Sequence, residues 1–146
     1  MKGILYLLGS WVYAALTNKL VLLAIGGAIG TISRYGLGKW LGDVAWAKGF
    51  PLGTFVINTT GSFVLGMAAV LILERLPPEY QNWYLLVGTG FCGGYTTFST
   101  FEWETYKLIR DGSFWMALAN VVGSVVVGFL GVYLAVALTS LFAPKQ

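Results

Sequence analysis

Charged residues fall in a few narrow bands along the chain and leave four largely uncharged runs: Leu20 to Leu41, Leu52 to Leu73, Asn82 to Ile109 and Phe114 to Phe142. A helix rises about 1.5 Å per residue, so roughly 20 residues cover the ~30 Å of bilayer hydrocarbon, and each run is long enough. Glu74, Arg75 and the Pro77-Pro78 pair stop the second run, and Pro144 follows the fourth. Trp40, Trp46, Trp83, Tyr84, Trp103, Tyr106 and Trp115 stand near the ends, where amphipathic rings favour the headgroup layer. The pattern predicts an all-α membrane protein with four transmembrane helices. Ahead of them, residues 3–18 are uncharged but short, and Lys19 separates them from the first run. Ile4, Leu8, Trp11 and Ala15 recur at helical spacing, which predicts an interfacial helix. A signal peptide headed by Lys2 is the competing reading, but no small-residue cleavage site follows. Residues 1–18 are therefore expected to be an extension, and 19–146 a single four-helix domain.

Polar groups in hydrocarbon are costly and are expected to face protein or water. Asn58, Ser62 and Gly66 recur every fourth residue in the second run, as do Asn120, Ser124 and Gly128 in the fourth; Gly26 and Gly30 share the spacing in the first. Small residues at this period let helices pack closely. Asn58 and Asn120, each with two amide donors, fit either interhelical bonding or a polar pathway. Arg34 closes the segment AIGGAIGTISRY. It is placed either to anchor the first helix by snorkelling or to build a positive vestibule that concentrates anions.

The third run is the anomalous one, because it contains FCGGYTTFSTFEWET, from Phe91 to Thr105. Adjacent glycines inside an apolar helix lower its stability by about 1 kcal/mol each relative to alanine and permit backbone angles that others avoid. The expectation is a helix broken at Gly93-Gly94. Such a break frees carbonyls before it, which suit a small hard cation, and N–H groups after it, which suit an anion, provided protein buries them. Thr96, Thr97, Ser99 and Thr100 are available to cap the new helix. Phe98 and Phe101 fall on one face, where core packing is the plainer reading; their positive ring edges also suit contact with an anion.

Composition supports the membrane class and removes most enzymology. The chain is 57% hydrophobic and 10% charged, with mean hydropathy +0.74, too little charge to solvate a soluble domain of 146 residues. It has no histidine and one cysteine, Cys92, which excludes an internal disulfide and the usual zinc, haem and proton-shuttle ligands. Its net charge of +3 comes from scattered basic residues, not a nucleic-acid-binding stripe. With four spans, Lys2, Lys19, Arg75 and Lys145 lie on one side, and Lys39, Lys48, Lys107 and Arg110 on the other, with Arg34 near the latter. No positive-inside bias selects an orientation. Either an external factor fixes it, or the chain inserts both ways and forms a dual-topology antiparallel homodimer about an axis in the membrane plane.

Together, GGAIGTISRY (Gly26 to Tyr35), PLGTFVINTTGSFVLG (Pro51 to Gly66) and GFCGGYTTFSTFEWET (Gly90 to Thr105) resemble the Fluc (CrcB) fluoride channel family over essentially the whole chain after Lys19. The resemblance implies an antiparallel homodimer in the plasma (inner) membrane, with two fluoride pores and a central structural Na+. On it, Phe98 and Phe101 match the phenylalanine box lining the fluoride path, and Asn58 the pore asparagine. Thr97, Ser99 and Thr100 match the hydroxyl-rich segment, Glu104 the acidic position after the box, and Ser124 a polar-track position. Asn120 is grouped with the pore, although relatives often carry another hydrogen-bonding residue there, and Glu102 has no assigned part. Arg34 matches the vestibule arginine, and Gly93 and Thr96 match the positions whose backbone carbonyls hold sodium. The implied function is passive export of fluoride from the cytoplasm, not catalysis. A proton-coupled drug exporter of four helices is the rival, but it needs a carboxylate embedded in the membrane, usually in the first span, where this chain has none. A purely structural assembly protein is a further alternative, which leaves the hydroxyl-rich stretch unexplained.

Overall fold

The computed structural model describes residues 18–42 and 49–142. Helix α1 spans Lys19–Gly42. Asn18 caps it, its side-chain oxygen accepting from the N–H groups of Leu20 at 2.9 Å and Val21 at 3.4 Å, amides that no preceding turn can satisfy. The rest of the extension expected over residues 1–18 lies outside the described residues. Helix α2 spans Leu52–Ala68 and runs on as a π-helical segment, Ala69–Glu74, before the prolines end it. A short 3-10 turn, Pro78–Tyr80, leads to α3, in which a π-helical stretch, Leu85–Cys92, passes into an α-helical turn, Gly93–Tyr95. Helix α4 spans Phe98–Arg110 and α5 spans Phe114–Phe142.

The expected spans and these helices coincide closely. Among the described residues, three continuous helices are each long and apolar enough to cross a membrane, Lys19–Gly42, Leu52–Glu74 and Phe114–Phe142, while α3 and α4 share the third expected crossing. The turn from α4 to α5 is closed by Ser113 N–H donating to the Leu108 carbonyl and Gly112 N–H to that of Ile109, with Gly112 at φ +78. That is the helix-ending turn in which a left-handed residue lets the chain reverse, and glycine adopts it without a Cβ penalty.

Packing pairs α1 with α3 and α2 with α5, and lays α4 along α5. Small residues make the first pairing a backbone-to-backbone contact: a Cβ on Gly26 would strike the Leu86 carbonyl, and one on Gly30 the Phe91 carbonyl. At the other pairing, a Cβ on Gly66 would lie 3.1 Å from Ala135 Cβ. Without a hydrophobic force between helices in lipid, such close approach is what gives packing its energy. The end of α3 docks on α2 through Tyr95, 7% exposed, whose hydroxyl lies 2.9 Å from that of Thr60. Leu22, Ile57 and Val70 are buried between the helices, but many other large apolar side chains point outward, Phe129 of α5 being 68% exposed, as expected of surfaces covered by lipid or another chain.

The third crossing is broken, but not at Gly93-Gly94. Gly93 is helical, φ −64 and ψ −37, and the chain leaves the helix at Thr96, φ −80 and ψ 159, and Thr97, φ −150 and ψ 115. Two β-branched residues that readily take extended backbone make the break. The glycine at 94 serves packing instead, since a Cβ there would lie 2.5 Å from the Gly27 carbonyl oxygen of α1.

Candidate functional site

A broken helix inside an apolar layer leaves peptide groups that must find partners. Here side chains from two other helices supply them. Asn58 of α2 faces Thr97 with both ends of its amide: its oxygen accepts from Thr97 N–H at 2.8 Å, and its nitrogen donates to the Thr97 carbonyl at 3.1 Å. From α1, Arg34 donates to the Thr96 carbonyl at 3.3 Å, and the Thr31 hydroxyl to that of Gly94 at 3.5 Å. Thr96 N–H and hydroxyl both donate to the Cys92 carbonyl, at 2.9 and 2.8 Å. Thr97 caps α4, its hydroxyl oxygen accepting from Thr100 N–H at 3.3 Å while its proton goes to the Thr100 hydroxyl at 3.0 Å. The Gly93 carbonyl loses its helical donor, because Thr97 N–H goes to Asn58, and a Cβ on Gly93 would meet nothing from the neighbouring helices within 4 Å.

The break opens on a cleft of about 530 Å³ lined by Asn58, Ser62, Gly93, Thr96, Thr97, Phe98, Phe101 and Ser124, among others. The two rings differ in setting. Phe101 is 7% exposed and Phe98 is 74% exposed, with centroids 5.7 Å apart and planes inclined at 43°. The N-terminus of α4 ends at this cleft, so its first-turn amides, which have no partner within the helix, carry a partial positive charge toward it. Asn58 gives one amide proton to Thr97 and keeps a second as a donor.

The remaining sequence-predicted residues lie elsewhere. Ser99 and Thr100 are on the exposed first turn of α4. Arg34 reaches the break, so its position is that of an anchor for a freed carbonyl as well as a positive charge beside the cleft. Glu104 borders a second, more polar pocket of about 290 Å³ between the end of α1 and the start of α2, where its Oε2 is buried without a hydrogen-bond partner among the described residues. Asn120 does not line the cleft. It is 0% exposed between α4 and α5, donating to the Thr105 hydroxyl at 2.9 Å and accepting from Ser124 at 3.4 Å. Sequence reasoning missed Thr31 and Thr105. Thr31 precedes Arg34 by three residues, one helical turn on the same face, and that spacing was the available signal.

The fold and the site together define a small multi-span membrane protein with an interrupted helix at its candidate site. Comparison with known proteins gives the family. The model for CrcB-like protein, Camphor Resistance (CrcB), matches residues 21–136, and the chain belongs to that family. It is 49% identical over 115 residues to a fluoride-specific ion channel FluC of Solibacter usitatus, covering 79% of this chain and 93% of that one. A protein of the same name from Pyrococcus horikoshii is 40% identical over 117 residues, covering 79% and 90%. Another from Hahella chejuensis is 42% identical over 124 residues, covering 84% and 94%.

Proposed function

We propose that this protein is a fluoride-selective channel through which fluoride leaves the cytoplasm passively, relieving its toxicity. The observation that carries the reading is the break at Thr96-Thr97, opening on a cleft walled by Phe98, Phe101 and Asn58 in a chain whose relatives are named fluoride-specific ion channels. Fluoride is small and strongly hydrated, so selectivity over chloride calls for a narrow path of donors. The second amide proton of Asn58, the α4 N-terminus and the ring edges supply donors or positive potential at one place.

An antiparallel homodimer in the plasma (inner) membrane is part of the same proposal. Phe98 and Gly93 are exposed on the protomer, and a freed carbonyl facing lipid would be prohibitive, so a second copy is the fitting cover. The balance of basic residues on the two sides favours insertion both ways. Structural Na+ at the centre is proposed on the resemblance. Among the described residues no cluster of His, Cys, Asp or Glu suits a metal, so a cation would depend on carbonyl oxygens. The freed Gly93 carbonyl fits that role, and the Thr96 carbonyl, with two lone pairs, can accept from Arg34 and still face a cation. Bound there, the ion would hold the two broken helices together and add positive charge beside the path.

The test is efflux from liposomes containing the purified protein. Fluoride is expected to leave electrogenically, with strong discrimination against chloride and no requirement for a proton gradient. Equal chloride flux, or strict coupling to protons, would overturn the reading in favour of a different transport class.

A further inference from the structure

We infer that Asn120 is a positioning residue that sets the pose of Phe101 through a one-way hydrogen-bond relay, rather than a group that touches the permeating ion; this deepens, and rests on, the channel reading. Three bonds run in sequence from α5 to α4. The Ser124 hydroxyl donates to Asn120 Oδ1 at 3.4 Å, Asn120 Nδ2 donates to Thr105 Oγ1 at 2.9 Å, and the Thr105 hydroxyl donates to the Phe101 carbonyl at 2.8 Å. Ser124 and Phe101 both line the cleft, whereas Asn120 is 0% exposed and Thr105 8%. The relay therefore starts and ends on the walls of the cleft and is buried between.

Direction matters because each hydroxyl has a single proton. Asn120 must present its NH2 to Thr105, since Thr105 has given its own proton to Phe101. That leaves the Asn120 oxygen to receive the Ser124 proton and turns the Ser124 lone pairs toward the cleft. A hydroxyl bonded back to the carbonyl four residues earlier often bends a helix locally, and the carbonyl used here is that of Phe101, one helical turn from the break. Asn120 fixes the Thr105 rotamer that makes this bond, and so fixes the ring beside it. The Ser124 bond is the longest of the three, which leaves its proton the one most easily drawn outward to an anion.

The experiment compares Asn120→Leu, Thr105→Val and the pair of substitutions with the unaltered chain in liposomes, reading the fluoride-to-chloride permeability ratio per assembled protein. Asn120→Leu removes the amide at similar volume; Thr105→Val keeps the shape of threonine while removing its hydroxyl. Each is expected to lower the ratio by about tenfold, a modest cost for a displaced group at a selective site, and the pair is expected to lower it no further than either alone, as for members of one network. Thr139→Val is the control, because Thr139 is a buried threonine of α5 that bonds only within its own helix, to the Ala135 and Val136 carbonyls; its ratio is expected to be unchanged. If Asn120→Leu fails to assemble, Thr105→Val alone carries the test. An unchanged ratio in the assembled variants, or an equal fall in Thr139→Val, overturns the relay. Absence of fluoride flux in the unaltered chain would instead overturn the channel reading.

Discussion

Replacing Asn58 by leucine removes the two bonds that substitute for the helix at Thr97. The side chain keeps its approximate volume, so the loss falls on hydrogen bonding. Thr97 N–H and C=O, which Asn58 meets at 2.8 and 3.1 Å, would each be left part-buried with no partner. An orphaned buried peptide group costs about 1–3 kcal/mol, so the pair costs roughly 2–6 kcal/mol, a large share of the ~5–15 kcal/mol that holds a folded domain together. At about 2–4 °C per kcal/mol for a chain of this size, the unfolding midpoint should fall by on the order of 10 °C. The assay is thermal unfolding of purified protein in detergent, with fluoride efflux measured on what remains assembled. Asn58→Asp separates the two halves of the clamp. It keeps the acceptor for Thr97 N–H but faces the Thr97 carbonyl with oxygen, so it should fall at least as far as the leucine variant. An Asn58→Leu protein that melts within about 1 °C of the unaltered chain, a shift worth less than ~0.5 kcal/mol, would refute the claim that Asn58 stabilises the break.

Other substitutions test the rest of the structure. Gly30→Ala should cost about 1–3 kcal/mol in the same melt, because the new methyl meets the Phe91 backbone, whereas Gly36→Ala, with nothing within 4 Å, should be neutral or slightly stabilising. Arg34→Lys and Arg34→Gln distinguish a bond from a field: if the guanidinium is needed on the Thr96 carbonyl, both reduce fluoride flux alike, and if only positive charge is needed, the lysine variant retains it. Phe98→Ile and Phe101→Ile should suppress fluoride flux while the protein elutes as the same oligomer on size exclusion; unaltered flux in both would return the rings to core packing.

The four crossings were legible from hydropathy because the bilayer demands about 20 apolar residues in succession whatever the helix packs against. The bounds of α5, Phe114–Phe142, coincide with the run read from sequence. The presence of a break in the third crossing was legible too, from the adjacent glycines inside an apolar run, with hydroxyls following that could cap a new helix. Its position was not. Gly93-Gly94 has the strongest local propensity to break, yet both stay helical, and the missing side chain at Gly94 makes room for α1 instead. The break goes to Thr96-Thr97 because Asn58, 39 residues earlier, and Arg34, 62 residues earlier, arrive there with replacement hydrogen bonds.

The candidate site divides in the same way. Phe98, Phe101, Ser124 and Asn58 could be gathered from motif and spacing, and the fold brings them to one cleft. Asn120 and Ser124 share a periodic face of α5, but only the approach of α4 buries the asparagine and leaves the serine on the cleft wall. Local sequence dictates which stretches are helical and which residue types lie at their interruptions. Which peptide group is freed, which side chain meets it and which polar residue faces open space depend on contacts between distant segments, and those exist only after the helices pack.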